Sequence, residues 1–185
     1  MYAALVLAAD DVLVDGVPYQ VSGEHLAEIV ASLLTATDGE VVVVLGAHAE
    51  EILDRVDLGD AQVIIDSEWR SGAMSALHVA LDWLDRSMPD AEGALIALGV
   101  EEVPDAELCR DLVAFHSEDE AGAVVARYRY TAGFPLVLGS VLWPKLMGVD
   151  NRSNLMGLLT AHPEWTAHFW VESSSPRRID APRPV

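Results

Sequence analysis

Five acidic residues stand at positions from which they could bind a hard cation such as Mg²⁺. Asp10 and Asp11 follow the apolar run that opens the chain, Glu101 and Glu102 follow another apolar run, and Asp180 lies near the end. Hard cations prefer clustered carboxylate oxygens, so these five residues form a candidate metal site. The competing interpretation is a solvated acidic surface, because Glu101 and Glu102 precede a predicted helix whose N-terminus favours negative charge.

Arg70, Ser71 and Gly72 form the one candidate for anion binding that carries a positive charge. Backbone N–H groups at the start of a helix and a guanidinium group both attract anions. The alternative is a helix cap with a solvent-exposed arginine. Other chemistry has less support: Cys109 falls on a helical face and is expected to pack there. The six histidines show no metal-binding spacing, so zinc is not expected.

The charge balance of the 185-residue chain limits its partners. There are 30 Asp and Glu residues against 11 Lys and Arg residues, a formal net charge of −19. This charge repels polyanions, so nucleic acid is not an expected partner. A divalent cation or a basic protein partner would relieve repulsion among the carboxylates. A simpler interpretation is that the charge only maintains solubility.

Compartment and membrane association follow from the apolar runs and the cysteine count. No apolar run approaches the roughly 18 residues needed to span a bilayer, so no membrane partner is expected. The segment Met1–Ala9 lacks a basic region and is not a predicted signal peptide. A single cysteine excludes an internal disulfide framework. These features predict a cytoplasmic protein.

Alternating strand and helix patterns predict how these residues are positioned. They indicate one α/β domain, residues 1–172, with three α/β/α layers around a mostly parallel, Rossmann-like sheet. A strand over Val41–Leu45 is expected near the centre, and residues 173–185 are expected to be a loosely attached tail. Ligands of such sheets bind beyond the carboxyl ends of the strands. The predicted site therefore involves the loops Ala9–Gly16, Gly46–Ala49, Ser67–Gly72 and Gly99–Pro104.

The predicted elements are short and evenly spread along the chain. A helix capped by Ser22 is expected to run to about Leu34, and four successive valines favour a strand buried on both faces. The further predicted strands are Tyr2–Ala8, Glu40–Leu45, Ala61–Ile65, Ala94–Leu98, Ala121–Tyr130, Pro135–Leu138 and Thr166–Glu172. The further predicted helices are Glu50–Val56, Ser71–Leu84, Ala106–His116, Trp143–Met147 and Asn154–Ala161.

Several segments, in consistent order, resemble one known family. The matching stretches are Leu7-Ala8-Ala9, Val43–Ile52, Trp69–Leu77, Leu98-Gly99, Gly133-Phe134-Pro135 and Ile179–Pro182. Together they resemble the MobA-like nucleotidyltransferases, and in particular the molybdenum-cofactor cytidylyltransferase branch. The resemblance implies transfer of a nucleotidyl group from CTP or GTP to a phosphate-bearing pterin, with magnesium. It adds Met74, Ser75 and Gly133 to Arg70, Ser71 and Gly72 as expected substrate- or anion-binding residues.

The chain departs from the family pattern where phosphate and metal chemistry is expected. The family's first loop carries an arginine and a lysine, whereas residues 9–16 read Ala-Asp-Asp-Val-Leu-Val-Asp-Gly. The family's metal-binding aspartate aligns with Val100. Carboxylates close to a triphosphate would repel it by roughly 1 kcal/mol or more per close pair.

These departures leave three functional hypotheses. The first is a MobA-like protein without normal nucleotidyl transfer that acts as a binding or partner protein in cofactor maturation. The second is an active, divergent nucleotidyltransferase in which Arg70, Glu101 or Glu102, and Asp180 rebuild the site around Mg²⁺ or another divalent cation. The third is an unrelated α/β small-molecule binder.

Overall fold

Seven strands form one sheet in the computed structural model, which describes residues 1–9, 12–14, 17–19, 22–119 and 121–179. The described residues form nine strands, of which β2 and β3 pair with each other outside this sheet. The strands are β1 (Tyr2–Ala8), β2 (Val12–Val14), β3 (Val17–Tyr19), β4 (Val41–Leu45), β5 (Gln62–Ile65), β6 (Gly93–Leu98), β7 (Ala123–Arg127), β8 (Ala132–Gly139) and β9 (Thr166–Trp170). The helices are α1 (Gly23–Leu34), α2 (Ala49–Leu53), α3 (Ser75–Ser87), α4 (Ala106–Glu118), α5 (Trp143–Met147) and α6 (Leu155–Ala161).

The sheet has the order β5-β4-β1-β6-β8-β7-β9. Neighbours pair in parallel except β8, which is antiparallel to both β6 and β7. The carboxyl ends of β1, β4, β5, β6, β7 and β9 therefore meet at one edge of the sheet, where β8 begins. The expected mostly parallel α/β architecture is confirmed.

Successive residues of each strand point to opposite helical layers, which gives the protein two cores. Val41, Val43 and Leu45 pack in the layer that contains α1, α2 and α4. Val42 and Val44 pack in the layer that contains α3, α5 and α6. All five residues of β4 are buried, as the valine run predicts. Covering both faces in this way produces the expected three-layer sandwich.

Three details of the predicted organisation are wrong. The Val41–Leu45 strand is next to the edge strand β5 and not central, because burial of both faces depends on helices above and below and not on position within the sheet. Part of the Ala9–Gly16 loop forms strand β2, which pairs antiparallel with β3. The predicted Ser71–Leu84 helix is a 3₁₀ turn at Trp69–Ser71 followed by α3.

The ends of α1 and α4 follow directly from local sequence. The Ser22 side chain accepts a hydrogen bond from the His25 N–H at 3.1 Å, confirming the predicted cap. The Asp105 carboxylate accepts from the N–H groups of Glu107 and Leu108 at the start of α4. Both caps lie beside the carboxyl edge of the sheet and fix the loops from which these helices begin. No helix within the described ranges is long and apolar enough to cross a membrane.

Candidate functional site

A cavity of about 210 Å³ lies at the carboxyl edge of the sheet, where the alternation of strands and helices predicts ligand binding. Its walls come from the ends of β1 and β6, the start of β8, the first turns of α3 and α6, and one residue of the C-terminal segment. The lining residues are Leu7, Ala8, Ala9, Ala73, Met74, Ala76, Leu77, Leu98, Val100, Phe134, Asn154, Leu155, Met156 and Arg178.

The described side chains that line this cavity are apolar except at two residues. Among them, Arg178 is the one charged residue and Asn154 is the one neutral polar residue. The Asn154 side chain is used as the N-cap of α6, where it accepts from the Gly157 N–H at 2.9 Å. Arg178 is thus the principal polar group that the described lining offers to a bound molecule.

The C-terminal segment reaches the cavity through backbone pairing with the loop after β6. The Glu102 N–H donates to the Arg177 carbonyl at 2.9 Å, and the Ile179 N–H donates to the Val100 carbonyl at 2.9 Å. Glu101 and Arg178 form an antiparallel bridge between these hydrogen bonds. Loose attachment was expected from residue 173 onward, but residues 177–179 are held against this loop. The expectation overlooked this pairing because it joins segments about 75 residues apart.

Glu101 and Glu102 are adjacent but have different surroundings. The exposed Glu102 carboxylate accepts from the Arg177 side chain at 2.9 and 3.0 Å, and hydrogen bonds from Arg177 lower its pKa. The Glu101 side chain is partly buried, and burial raises its pKa to about 7 while the positive charge of Arg178 opposes the rise. Each carboxylate thus has an arginine neighbour, Arg178 for Glu101 and Arg177 for Glu102, whose positive charge competes with a cation.

The described residues do not fit the magnesium site that the family implies. Val100, which aligns with the family's metal-binding aspartate, is only 8% exposed and lines the cavity. Within the described ranges, no three His, Cys, Asp or Glu side chains form a group that could hold a metal ion. The other predicted ligands, Asp10, Asp11 and Asp180, lie outside the described residues.

The predicted anion-binding segment is bound tightly to the loop around Asn151. The Asn151 side-chain amide donates to the Ser71 hydroxyl at 2.7 Å, and the Asn151 carbonyl accepts from the Met74 N–H at 3.0 Å. The Ser75 N–H donates to the Gly72 carbonyl at 3.1 Å. The N–H groups of Met74 and Ser75 are therefore used within the protein. Anion binding by this segment stays a prediction, and two of the backbone N–H donors on which it relied are already used.

Arg70, which belongs to the same segment, and Gly133 have different surroundings. The exposed Arg70 guanidinium lies 4.1 Å from the centre of the Trp69 ring. Gly133 lies in β8, paired with Ala126 of β7, and a Cβ added to it would meet no atom within 4 Å. Its neighbour Phe134 and Met74 line the same cavity, so the structure brings together the apolar members of the two predicted segments.

Arg178 and Asp66 are candidate functional residues that the sequence analysis missed. Asp66 follows β5 and is 1% exposed; its Oδ1 accepts from the Glu68 N–H at 2.9 Å, and its buried Oδ2 has no hydrogen-bond partner among the described residues. In the sequence, Asp66 could have been identified as a lone aspartate that directly follows an apolar run. For Arg178 the signal was an arginine next to the family-like Ile179–Pro182 segment.

The environment of Glu101 predicts a pH-dependent gain in stability when its charge is removed. The pKa of Glu101 in the folded state is raised from 4.5 to about 7. The stability that protonated Glu101 contributes is therefore fully present below pH 4.5 and is lost as pH rises through about 7. We expect Glu101→Gln to raise the free energy of unfolding at pH 8 by about 1 kcal/mol, after allowing for solvent screening. The gain should vanish near pH 4.5.

Urea unfolding at these two pH values measures the effect. Glu102→Gln is the matched control, since it removes the same charge but breaks the pair with Arg177 and should bring no gain. A Glu101→Gln variant less stable than the parent at pH 8 would show that ionised Glu101 is stabilised by Arg178.

Comparisons with known proteins agree with this architecture. Rv0371c from Mycobacterium tuberculosis H37Rv is similar, with a TM-score of 0.79 and 20% identity over 97% of this chain and 92% of that chain. Its complex with manganese gives a TM-score of 0.78 at 18% identity, over 97% and 93%. A nucleotidyl transferase from Methanothermobacter gives a TM-score of 0.69 at 16% identity, over 94% and 88%. At these identities the likeness shows the fold.

The family itself is shown by sequence. No curated protein sequence matches the chain. Residues 17–165, however, match the family model for the MobA-like NTP transferase domain. This range includes the α3 segment, Val100 and Phe134, which were central to the resemblance. The chain therefore belongs to the MobA-like NTP transferase domain family.

Proposed function

We propose that this protein is a ligand-binding member of its family that does not transfer nucleotidyl groups. The observation that carries the proposal is the side chain of Val100, which is buried in the wall of the cavity, at the position where the sequence resemblance places the family's metal-binding aspartate. An aspartate there would hold a cation against the α-phosphate during in-line attack. A valine supplies no ligand atom and favours an apolar group instead.

The composition of the first loop and the described lining of the cavity also oppose a triphosphate. The first loop lacks the arginine and lysine of the family and carries aspartates in their place. The amides of Met74 and Ser75 already donate to carbonyls within the protein. A triphosphate carries several negative charges, and the described lining offers one arginine to balance them.

The cavity instead favours a small molecule with an apolar body and one anionic group. A cavity of about 150 Å³ accommodates benzene, so about 210 Å³ has room for one substituted ring. The ring would contact Leu77, Leu98 and Phe134, and the anion would pair with the Arg178 guanidinium. A binding or partner role in cofactor maturation, in the cytoplasm, is the cellular function that we propose for such a protein.

An active nucleotidyltransferase is the second candidate. The observation in its favour is the manganese complex of Rv0371c, a protein of the same fold. In that case Arg70, Glu101 or Glu102, and Asp180 would rebuild a metal-dependent site. The pairing of Glu102 with Arg177 and the positive charge of Arg178 near Glu101 weigh against this arrangement.

Calorimetric titration with phenyl phosphate, an apolar ring with an anionic group, tests the proposed ligand class. We expect Arg178→Gln to weaken binding by about tenfold, since a charge-assisted hydrogen bond to a partly buried anion contributes on the order of 1.5 kcal/mol. Arg86→Gln is the matched control, because Arg86 pairs with Asp82 on α3 and does not line the cavity. Equal affinity of parent and Arg178→Gln, with circular dichroism showing both folded, would overturn the proposed role of Arg178.

A further inference from the structure

A second surface, distinct from the cavity, combines exposed aromatic rings with two arginines. It consists of Arg127 at the end of β7, Arg129 and Tyr130 in the following turn, and Trp170 at the end of β9; we call it the arginine–aromatic surface. Tyr130 is 87% exposed and Trp170 is 73% exposed. Large aromatic side chains left this exposed at neighbouring positions are typical of interaction sites.

The residues of this surface are held together by the sheet. Arg127 and Trp170 are register partners in the parallel pair β7–β9. The Val171 N–H donates to the Arg127 carbonyl at 2.9 Å, and the Tyr128 N–H donates to the Thr131 carbonyl at 2.8 Å, which closes the turn carrying Arg129 and Tyr130. Buried Tyr128 anchors that turn through a hydrogen bond from its hydroxyl to the Phe134 carbonyl at 2.8 Å. The backbone that carries these residues is therefore held in place before any partner binds.

Both arginines lie against aromatic rings and not against carboxylates. The Arg127 guanidinium is 5.7 Å from the centre of the Trp170 ring, and that of Arg129 is 6.0 Å from the centre of the Tyr130 ring. Neither arginine forms an ion pair within the described part of the chain, whereas Arg86 and Arg177 pair with Asp82 and Glu102. In a chain with 30 acidic residues, this leaves a local positive charge for an external anion.

The backbone beside the surface is also available for pairing. β9 is the last strand of the sheet, and no strand within the described ranges pairs with its outer edge. An extended peptide can add to such an edge through main-chain hydrogen bonds, while its side chains meet the neighbouring surface. The peptide's carboxylates would then reach Arg127 and Arg129, and its apolar side chains would reach Trp170.

We propose that the arginine–aromatic surface binds an acidic, extended segment of a partner protein, which adds to β9 as a further strand. A short segment is favoured over nucleic acid, because the net charge of −19 repels a long polyanion. A second copy of this chain is disfavoured for the same reason, since two such copies repel each other.

Fluorescence anisotropy with a labelled peptide in which Glu alternates with Val tests the proposal. The peptide should bind the full chain, and binding should weaken as salt rises from about 50 to 300 mM because the arginine–carboxylate contacts are screened. Arg127→Gln combined with Arg129→Gln should weaken binding by about tenfold or more. Arg86→Gln combined with Arg152→Gln is the control with the same change of charge away from the surface, and it should bind as the parent does.

Several outcomes would overturn the proposal. One is a failure of the Glu–Val peptide to bind, and another is equally tight binding of the corresponding Lys–Val peptide. Binding of single-stranded DNA with higher affinity than the peptide would assign the surface to nucleic acid. A concentration-dependent dimer in sedimentation, lost in the Arg127→Gln, Arg129→Gln variant, would assign it to a second copy. Substituting Trp170 by Ala gives an independent check, because this change leaves the arginines in place and should still weaken peptide binding.

Discussion

Replacing Gly72 by alanine is expected to lower the free energy of unfolding by about 3 kcal/mol or more. Gly72 joins the 3₁₀ turn at Trp69–Ser71 to α3 with a φ of 147°, a conformation that residues with a side chain rarely adopt. A Cβ at this position would also overlap the backbone carbonyl of Asn151. Because that carbonyl accepts from the Met74 N–H, relief of the overlap would break the contact that positions the start of α3.

Thermal or urea unfolding measures this effect, and Gly133→Ala is the matched control. Gly133 also lies at the carboxyl edge of the sheet, but a Cβ there meets no atom within 4 Å. The Gly133→Ala variant should stay within about 0.5 kcal/mol of the parent, while the Gly72→Ala variant should melt on the order of 10 °C lower. Equal melting temperatures of the two variants would show that the segment before α3 can rearrange freely.

Nucleoside triphosphates should bind this protein on the order of a thousandfold more weakly than a micromolar ligand does, with dissociation constants in the millimolar range. Three features contribute to this expectation. The Val100 side chain provides no metal ligand, Arg178 is the one charged residue among those described in the cavity lining, and the first loop carries aspartates in place of arginine and lysine. A millimolar constant corresponds to only about 4 kcal/mol, which contacts of the base with an apolar wall can supply.

The fold could be predicted from the sequence because its signals are local. Ser22 caps α1 as expected, and the valines of β4 are buried on both faces. The order of strands within the sheet is a different kind of information, since no local pattern states which strands become neighbours. The position of Val41–Leu45 next to the edge was therefore not predictable from its burial.

Local patterns predicted the candidate site where its residues follow a strand directly, and the family resemblance added Met74 and the Gly133-Phe134-Pro135 segment. The loop after β6 was identified, including Val100, Glu101 and Glu102. Arg178 was missed because it reaches the cavity through backbone pairing with that loop, and such a contact has no local signal. The start of α3 was predicted too early. The Met74 N–H donates a hydrogen bond to the carbonyl of Asn151, a residue distant in sequence, and α3 begins only after it.

Isothermal titration calorimetry of the full chain with CTP and with GTP, each with Mg²⁺ and with Mn²⁺, tests whether this MobA-like domain has lost the means to hold a triphosphate while keeping a cavity at the same edge of the sheet. We expect dissociation constants in the millimolar range or weaker for both nucleotides, and no more than a minor difference between the two cations. Low-micromolar binding of either nucleotide that depends on the divalent cation would contradict the account and favour the active nucleotidyltransferase.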